Sequence, residues 1–177
     1  YWLPILLSNE MQGPRAIRYP RGGESKALAQ YGCSGKEYDH LYTAPGAKIV
    51  LVSYADEVED VLNAAKLLGA ENIPCDVYKL VQIFPFTDEL IREIMRYDVV
   101  LMAEECVACG GIGEHLEMAL QHAGWNGRYI HTAVEQLCLP HATVPQIKQV
   151  TGRDAEHLAQ AVREAVQAPE AKGEAKV

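Results

Sequence analysis

Residues 97–122 read YDVVLMAEECVACGGIGEHLEMALQH, and this stretch decides the fold class. It opens on a continuous apolar run, which is typical of a strand buried on both faces of a sheet. The run ends at an acidic pair and a glycine cluster, after which Ile112, Leu116 and Leu120 recur at helical spacing. A strand, a glycine-rich turn and a helix in this order form half of a βαβ unit. Because ligands of open α/β sheets bind at the carboxyl ends of the strands, chemistry is first sought at this turn.

The same alternation of strands and helices extends outward from this stretch. Further strands are predicted at 48–54, 75–81 and 127–133. Further helices are predicted at 56–68 with Gly69 as the stop, at 88–96 after a Thr87 cap, and after the caps Thr143 and Asp154. These elements predict an α/β protein of three layers, α/β/α, around a mostly parallel five-stranded sheet with one antiparallel edge strand.

The antiparallel edge strand is predicted at 36–43. A turn at Pro45-Gly46 follows, and the connection is too short for a crossover, so this strand is expected to pair with the strand at 48–54. The chain divides into a short unit at 1–23, a linker and edge strand at 24–46, the main domain at 47–167 and a polar tail at 168–177 that we expect to be disordered.

Composition excludes several classes of function. The formal net charge of −8 argues against nucleic-acid or anionic-membrane partners, because both need a basic surface. No apolar run approaches the roughly 20 residues of a membrane span. The five cysteines are odd in number and scattered, which favours reduced thiols in a cytoplasmic protein.

Cys106-x-x-Cys109 precedes the predicted helix, whose N-terminus could activate Cys109 as a redox thiol. Against this, the adjacent Glu104 and Glu105 would raise the pKa of a thiol. A metal site would need further ligands, and neither the other cysteines nor the six histidines form a ligand pattern. We therefore predict no metal ligand.

Gly110-Gly111-Ile112-Gly113 gives a second hypothesis, in which an anion binds at the helix N-terminus. The Gly-x-Gly-x-x-Gly spacing and a Walker lysine are absent, and Glu114 would compete for the same N–H groups. The alternative is that the glycines let the helix pack close to the strand, with Glu104 and Glu105 facing a domain or subunit boundary.

Arg18 and Arg21 flank a proline bend that is followed by two glycines. Two guanidinium groups in this arrangement suit a clamp for a phosphate or a carboxylate. A surface salt bridge is the alternative.

Residues 13–22, with the core Arg18-Tyr19-Pro20-Arg21-Gly22, resemble the end of the pyrimidine-binding domain in the 1-deoxy-D-xylulose-5-phosphate synthase branch of the transketolase family. The rest of the chain resembles the C-terminal domain of that family in order. The matching segments are Ser53-Tyr54-Ala55, Ile83-Phe84-Pro85-Phe86-Thr87-Asp88, Glu104-Glu105 with the glycine turn, and Leu139-Pro140-His141-Ala142-Thr143 with Gly152 and Asp154. The sequence departs from the family pattern at Ala55, Cys106, Cys109, Ala142 and Arg153.

The resemblance implies a full-length enzyme that uses thiamine diphosphate and Mg2+ to condense pyruvate with glyceraldehyde 3-phosphate, for isoprenoid and thiamine synthesis. The family holds this cofactor through a Gly-Asp-Gly…Asn motif, and no Gly-Asp-Gly occurs here. We therefore expect an inactive C-terminal fragment without catalytic, cofactor or metal residues, which joins the remainder of the same polypeptide in a homodimer. The resemblance also implies that Arg21 contacts the substrate phosphate, with Arg18 as the weaker candidate.

Two alternatives stay open. One is the C-terminal part of another transketolase-like enzyme, such as transketolase or a two-oxoacid dehydrogenase beta subunit. The other is a stand-alone interaction domain without catalysis. The chain opens at Tyr1 without an initiator Met, from which we expect a piece of a longer protein.

Overall fold

The computed structural model describes residues 13–14, 16–18, 25–32, 34–135, 138–139 and 141–168. A five-stranded sheet forms the centre of this part of the chain, with strand order β1-β3-β2-β4-β5. The strands are β1 (Tyr38–Tyr42), β2 (Ile49–Ser53), β3 (Cys75–Leu80), β4 (Val99–Val107) and β5 (Arg128–Val134). Strand β1 runs antiparallel to β3, and every other pairing is parallel.

Helices cover both faces of the sheet. They are α1 (Glu57–Ala70), α2 (Asp88–Ile94), α3 (Ile112–His122), α4 (Val144–Val150) and α5 (Ala155–Gln167). Helices α1 and α5 pack in one hydrophobic core, and α2 and α3 pack in the other. The predicted three-layer fold with its mostly parallel sheet is confirmed.

The apolar run of β2 shows why this sequence needs helices on both sides. All five residues of β2 are buried. Successive side chains of a strand point to opposite faces, so Ile49 and Leu51 enter the α1–α5 core while Val50 and Val52 enter the α2–α3 core.

The predicted partner of the edge strand is wrong. Strand β1 pairs with β3 rather than with β2, because β2 already has parallel neighbours on both sides. The short connection from β1 to β2 has to span about 10 Å, two strand spacings, which six residues reach easily. It passes the amino end of β3, where Asp76 Oδ1 accepts a hydrogen bond of 2.8 Å from the N–H of Ala44.

The predicted stop of α1 at Gly69 is also wrong. The helix continues to Ala70, and the residue with positive φ is Asn72, at 62°. The N–H of Ile73 donates to the carbonyl of Leu68 at 2.9 Å, and the N–H of Asn72 to that of Gly69 at 3.1 Å. Asparagine tolerates this left-handed conformation, so it ends the helix where glycine was expected to do so.

Two predicted helix caps are confirmed by hydrogen bonds. Thr87 Oγ1 accepts from the N–H of Leu90 at 3.3 Å. Asp154 Oδ1 accepts from the N–H groups of Glu156 and His157 at 3.1 and 3.0 Å.

The division into parts at 1–23, 24–46, 47–167 and 168–177 stays a prediction. None of the described helices is long and apolar enough to cross a membrane.

Candidate functional site at the carboxyl edge of the sheet

Two neighbouring parallel strands bring Tyr54 and Glu104 together. Ser53, the last residue of β2, pairs in register with Ala103 of β4, so the residues that follow them lie side by side at the carboxyl edge. The side chain of Glu104 is fully buried and that of Tyr54 nearly so. A carboxylate in such a position needs hydrogen bonds to remain charged.

Four donors surround the carboxylate of Glu104. The hydroxyl of Tyr54 donates at 2.7 Å, and the N–H groups of Ile112 and Gly113 donate at 3.1 and 2.8 Å. His131 Nε2, from β5, lies 2.8 Å from Oε1. Burial acts to raise the pKa of Glu104, but the hydrogen bonds from His131, Gly113 and Tyr54 outweigh it and hold that pKa below its usual value.

Gly111 and Gly113 are required for this close approach. A Cβ at Gly111 would overlap Glu104 Oε1 and lie 2.7 Å from the carbonyl oxygen of Val107, and a Cβ at Gly113 would overlap the ring of His131. The interpretation that the glycines let the helix pack close to the strand is therefore confirmed for Gly111 and Gly113.

The N-terminus of α3 binds an anion, but that anion belongs to the chain itself. Glu104 takes the N–H groups of Ile112 and Gly113, and Glu114 Oε2 accepts from the N–H of Gly110 at 2.5 Å, as predicted for Glu114. These groups are therefore occupied by carboxylates of the protein. The expectation that Glu104 faces a domain or subunit boundary is wrong, because Glu104 is buried within the domain, whereas Glu105 is exposed.

Cys106 and Cys109 lie beside this turn as free thiols, the first half-buried and the second exposed. Because Glu104 holds the leading N–H groups of α3, those groups are not available to activate Cys109. The described residues include no group of three His, Cys, Asp or Glu side chains that could hold a metal ion.

Arg18 contacts the same edge of the sheet. Its Nη2 donates to the carbonyl of Glu105 at 2.7 Å, and its Nη1 lies 3.4 Å from the hydroxyl of Tyr54. The guanidinium also lies over the ring of Tyr54, 5.3 Å from its centroid. Among the described residues Arg18 forms no ion pair, so its acceptors are neutral. Arg21, the stronger of the two predicted phosphate ligands, lies outside the described residues.

Sequence reasoning missed Tyr54 and His131 as partners of Glu104. Both follow from the register of the sheet: Ser53 pairs with Ala103, and Thr132 of β5 pairs with Ala103 from the other side. Aligning the ends of the parallel strands would have indicated Tyr54, whereas the register of β5 has no signal in the sequence.

A second buried cluster of charges surrounds Glu57. Arg153 Nη1 lies 2.6 Å from its carboxylate and Lys148 Nζ 3.5 Å, and Lys148 also pairs with Asp60 at 2.5 Å. Burial raises the pKa of Glu57 even though Lys148 and Arg153 oppose that rise. The cluster ties α1 to α4 and to the turn before α5, which is a structural role.

An open cavity of about 430 Å³ lies between β5 and the segment from the end of α4 through α5. His131 and His157 are among its lining residues. His131 thus separates the Glu104 carboxylate from this cavity, and Arg18 does not line it.

The family described as "Transketolase, C-terminal domain" matches residues 40–158, which include Tyr54, Glu104 and His131. Proteins named 1-deoxy-D-xylulose-5-phosphate synthase are similar over most of the chain. That of Thermotoga maritima is 28% identical over 86% of this chain and 24% of its own length. That of Aquifex aeolicus is 26% identical over 86% of this chain and 24% of its own length. The chain thus spans about a quarter of the length of these curated relatives.

Solved structures agree with this assignment. A structure titled "Split gene transketolase, inactive beta4 tetramer" superposes with a TM-score of 0.66 at 25% identity, covering 73% of this chain and 42% of that one. The R525L mutant of transketolase from Pichia stipitis, at 16% identity, shares the fold with a TM-score of 0.56 over 74% of this chain and 18% of its own. The chain therefore belongs to the transketolase C-terminal domain family.

Proposed function

We propose that this chain is the C-terminal portion of a thiamine-diphosphate-dependent 1-deoxy-D-xylulose-5-phosphate synthase. The full-length enzyme condenses pyruvate with glyceraldehyde 3-phosphate and releases carbon dioxide, in the cytoplasm, at the start of isoprenoid and thiamine synthesis. This portion is inactive by itself, contributes contacts to a homodimer and relies on Mg2+ and cofactor ligands in the remainder of the polypeptide.

The observation that carries the proposal is the similarity to curated synthases along most of this chain, at 28% identity for the Thermotoga maritima protein. The Arg18-Tyr19-Pro20-Arg21-Gly22 core supports the same branch of the family. In this proposal Arg21 binds the phosphate of glyceraldehyde 3-phosphate and Arg18 assists it.

The carboxyl edge of the sheet supports a non-catalytic role for the domain. In many open α/β proteins this edge binds the ligand. Here Glu104 fills the N-terminus of α3, and the hydroxyl of Tyr54 and the ring of His131 complete the carboxylate's hydrogen bonds. The N-terminus of α3 is therefore closed to a small anionic ligand.

A transketolase is the second candidate, because the structures that share this fold include transketolases. The two reactions differ in their donor. A synthase takes its two-carbon unit from pyruvate and releases carbon dioxide. A transketolase takes its two-carbon unit from a ketose phosphate and releases no carbon dioxide.

The test compares this chain alone with the full-length polypeptide from the same gene. The full-length protein is expected to release carbon dioxide from pyruvate in step with consumption of glyceraldehyde 3-phosphate. The chain alone is expected to form no product and, by calorimetry, to show no magnesium-dependent binding of thiamine diphosphate. Micromolar binding by the chain alone would contradict our placement of the cofactor site. Turnover of xylulose 5-phosphate with ribose 5-phosphate, but not of pyruvate, would favour the transketolase.

A further inference from the structure

Arg18 is attached to the α/β domain through its guanidinium. The group stacks on the ring of Tyr54, donates to the carbonyl of Glu105 and reaches the hydroxyl of Tyr54. Tyr54 and Glu105 are 36 and 87 residues away in the sequence, so the folded sheet edge is what brings these contacts together.

Tyr54 is held rigidly enough to orient another group. Its side chain is buried, and its hydroxyl donates to Glu104, which is itself fixed by α3 and His131. Burial, followed by the hydrogen bond to Glu104, raises the pKa of Tyr54, so the phenol stays neutral. The Tyr54 hydroxyl donates its single proton to Glu104. Its oxygen can therefore only accept a hydrogen bond from Arg18.

The backbone of β4 supplies the other contact. The ladder between β4 and β5 is interrupted between Ala103 and Val107, and the carbonyl of Glu105 lies in this interruption. That carbonyl accepts from Arg18 instead.

These contacts fix the position of Arg18 without neutralising it. Both acceptors are uncharged, and among the described residues no carboxylate pairs with Arg18. A guanidinium has five N–H donors, and the described part of the chain engages two of its nitrogens, so donors and the positive charge remain for a ligand.

We propose that Tyr54 is a positioning residue that orients the guanidinium of Arg18 toward the phosphate of the aldehyde substrate, with Glu104 fixing the direction of the Tyr54 hydroxyl. The inference rests on the proposed function, in which Arg18 assists in binding that phosphate. It gives the C-terminal domain a part in substrate recognition that acts through Arg18.

The test uses the full-length enzyme and two acceptors, glyceraldehyde 3-phosphate and unphosphorylated glyceraldehyde. Tyr54→Leu removes both the ring and the hydroxyl and is expected to raise the KM for the phosphorylated acceptor about tenfold. Tyr54→Phe keeps the ring and is expected to raise it about threefold. The kcat and the KM for unphosphorylated glyceraldehyde are expected to stay unchanged.

Tyr129→Phe is the matched control. The hydroxyl of Tyr129 donates to the carbonyl of Gly113 at 2.7 Å in the same region but does not contact Arg18, so its loss tests for general loosening. This variant is expected to leave both KM values unchanged. If Tyr54→Leu does not fold, Tyr54→Phe decides, because the phenyl ring still fills the core.

Arg18→Ala separates the inference from the proposed function. If Arg18→Ala raises the KM for the phosphorylated acceptor and the Tyr54 variants do not, the positioning role is overturned and the proposed function stands. Equal losses with both acceptors in the Tyr54 variants would also overturn the positioning role, since they would indicate a structural effect. A wild-type enzyme that does not condense pyruvate with glyceraldehyde 3-phosphate would overturn both. The double variant Arg18→Ala with Tyr54→Leu is expected to be no worse than Arg18→Ala alone.

Discussion

At the scale of the residue, Glu104 shows how a buried charge can be kept at the end of a strand. Its oxygens receive two backbone N–H groups, a phenol and an imidazole nitrogen. Removing the charge would leave these groups with a poorer acceptor in a site that excludes water. Such an arrangement is sensitive to any atom added nearby.

Gly113→Ala tests that sensitivity. The new methyl group would overlap the ring of His131 and is expected to lower the free energy of unfolding by about 1–3 kcal/mol in denaturant titrations. Gly69→Ala, within α1, is the matched control: its Cβ would lie 3.7 Å from the hydroxyl of Tyr42, an ordinary contact. That substitution is expected to raise stability by about 0.5–1 kcal/mol, since alanine favours the helix. Equal effects at both positions would contradict the overlap.

Glu104→Gln tests the charge itself. At pH 7 the variant is expected to lose about 2–3 kcal/mol of stability, because a charged acceptor becomes a neutral amide. The pKa of Glu104 is lower when folded than when unfolded, so its stabilising contribution is complete above about pH 4.5 and declines as the pH falls. The difference in stability between the wild type and the variant should therefore shrink from pH 7 to pH 3.

Glu114→Gln is the control for that comparison, since Glu114 is an exposed carboxylate at the same turn. It is expected to change stability by about 0.5 kcal/mol or less. A gap between Glu104→Gln and the wild type that stays constant over the whole pH range would contradict the assigned direction of the pKa.

At the scale of the element, the charges around Glu57 join α1 to the turn between α4 and α5. Arg153→Leu leaves Glu57 buried with Lys148 as its remaining partner, and is expected to cost about 3 kcal/mol of unfolding free energy. Adding Glu57→Gln is expected to recover most of that loss, because the buried side chain at position 57 then carries no charge. Thermal and denaturant unfolding would measure both variants.

Arg163→Leu is the matched control on α5. Arg163 also pairs with two carboxylates, Glu71 and Glu156, but those partners are exposed. Its replacement is expected to lower the free energy of unfolding much less than Arg153→Leu does, because solvent and salt screen an exposed ion pair. A loss at Arg163 as large as that at Arg153 would show that burial does not set the effect.

At the scale of the whole molecule, the sequence predicted the features that depend on residues close together in the chain. Apolar runs predicted the parallel strands, and Thr87 and Asp154 predicted the starts of their helices, because strand burial and helix caps depend on neighbouring residues. The partner of β1 was not predictable in the same way, because which edge of a sheet is open depends on the other strands. The Glu104 site likewise depends on register, which joins residues far apart in the chain.

The turn at residues 104–113 also limits how this sequence can diverge. Gly111 and Gly113 leave no room beside the Glu104 carboxylate and the ring of His131, while Glu104 supplies the charge that its donors require. A substitution at one of these positions creates either a steric overlap or a buried donor without an acceptor. The residues at the other three positions cannot relieve either problem unless they are substituted too. Evolutionary substitutions at these four positions are therefore expected to occur together or not at all.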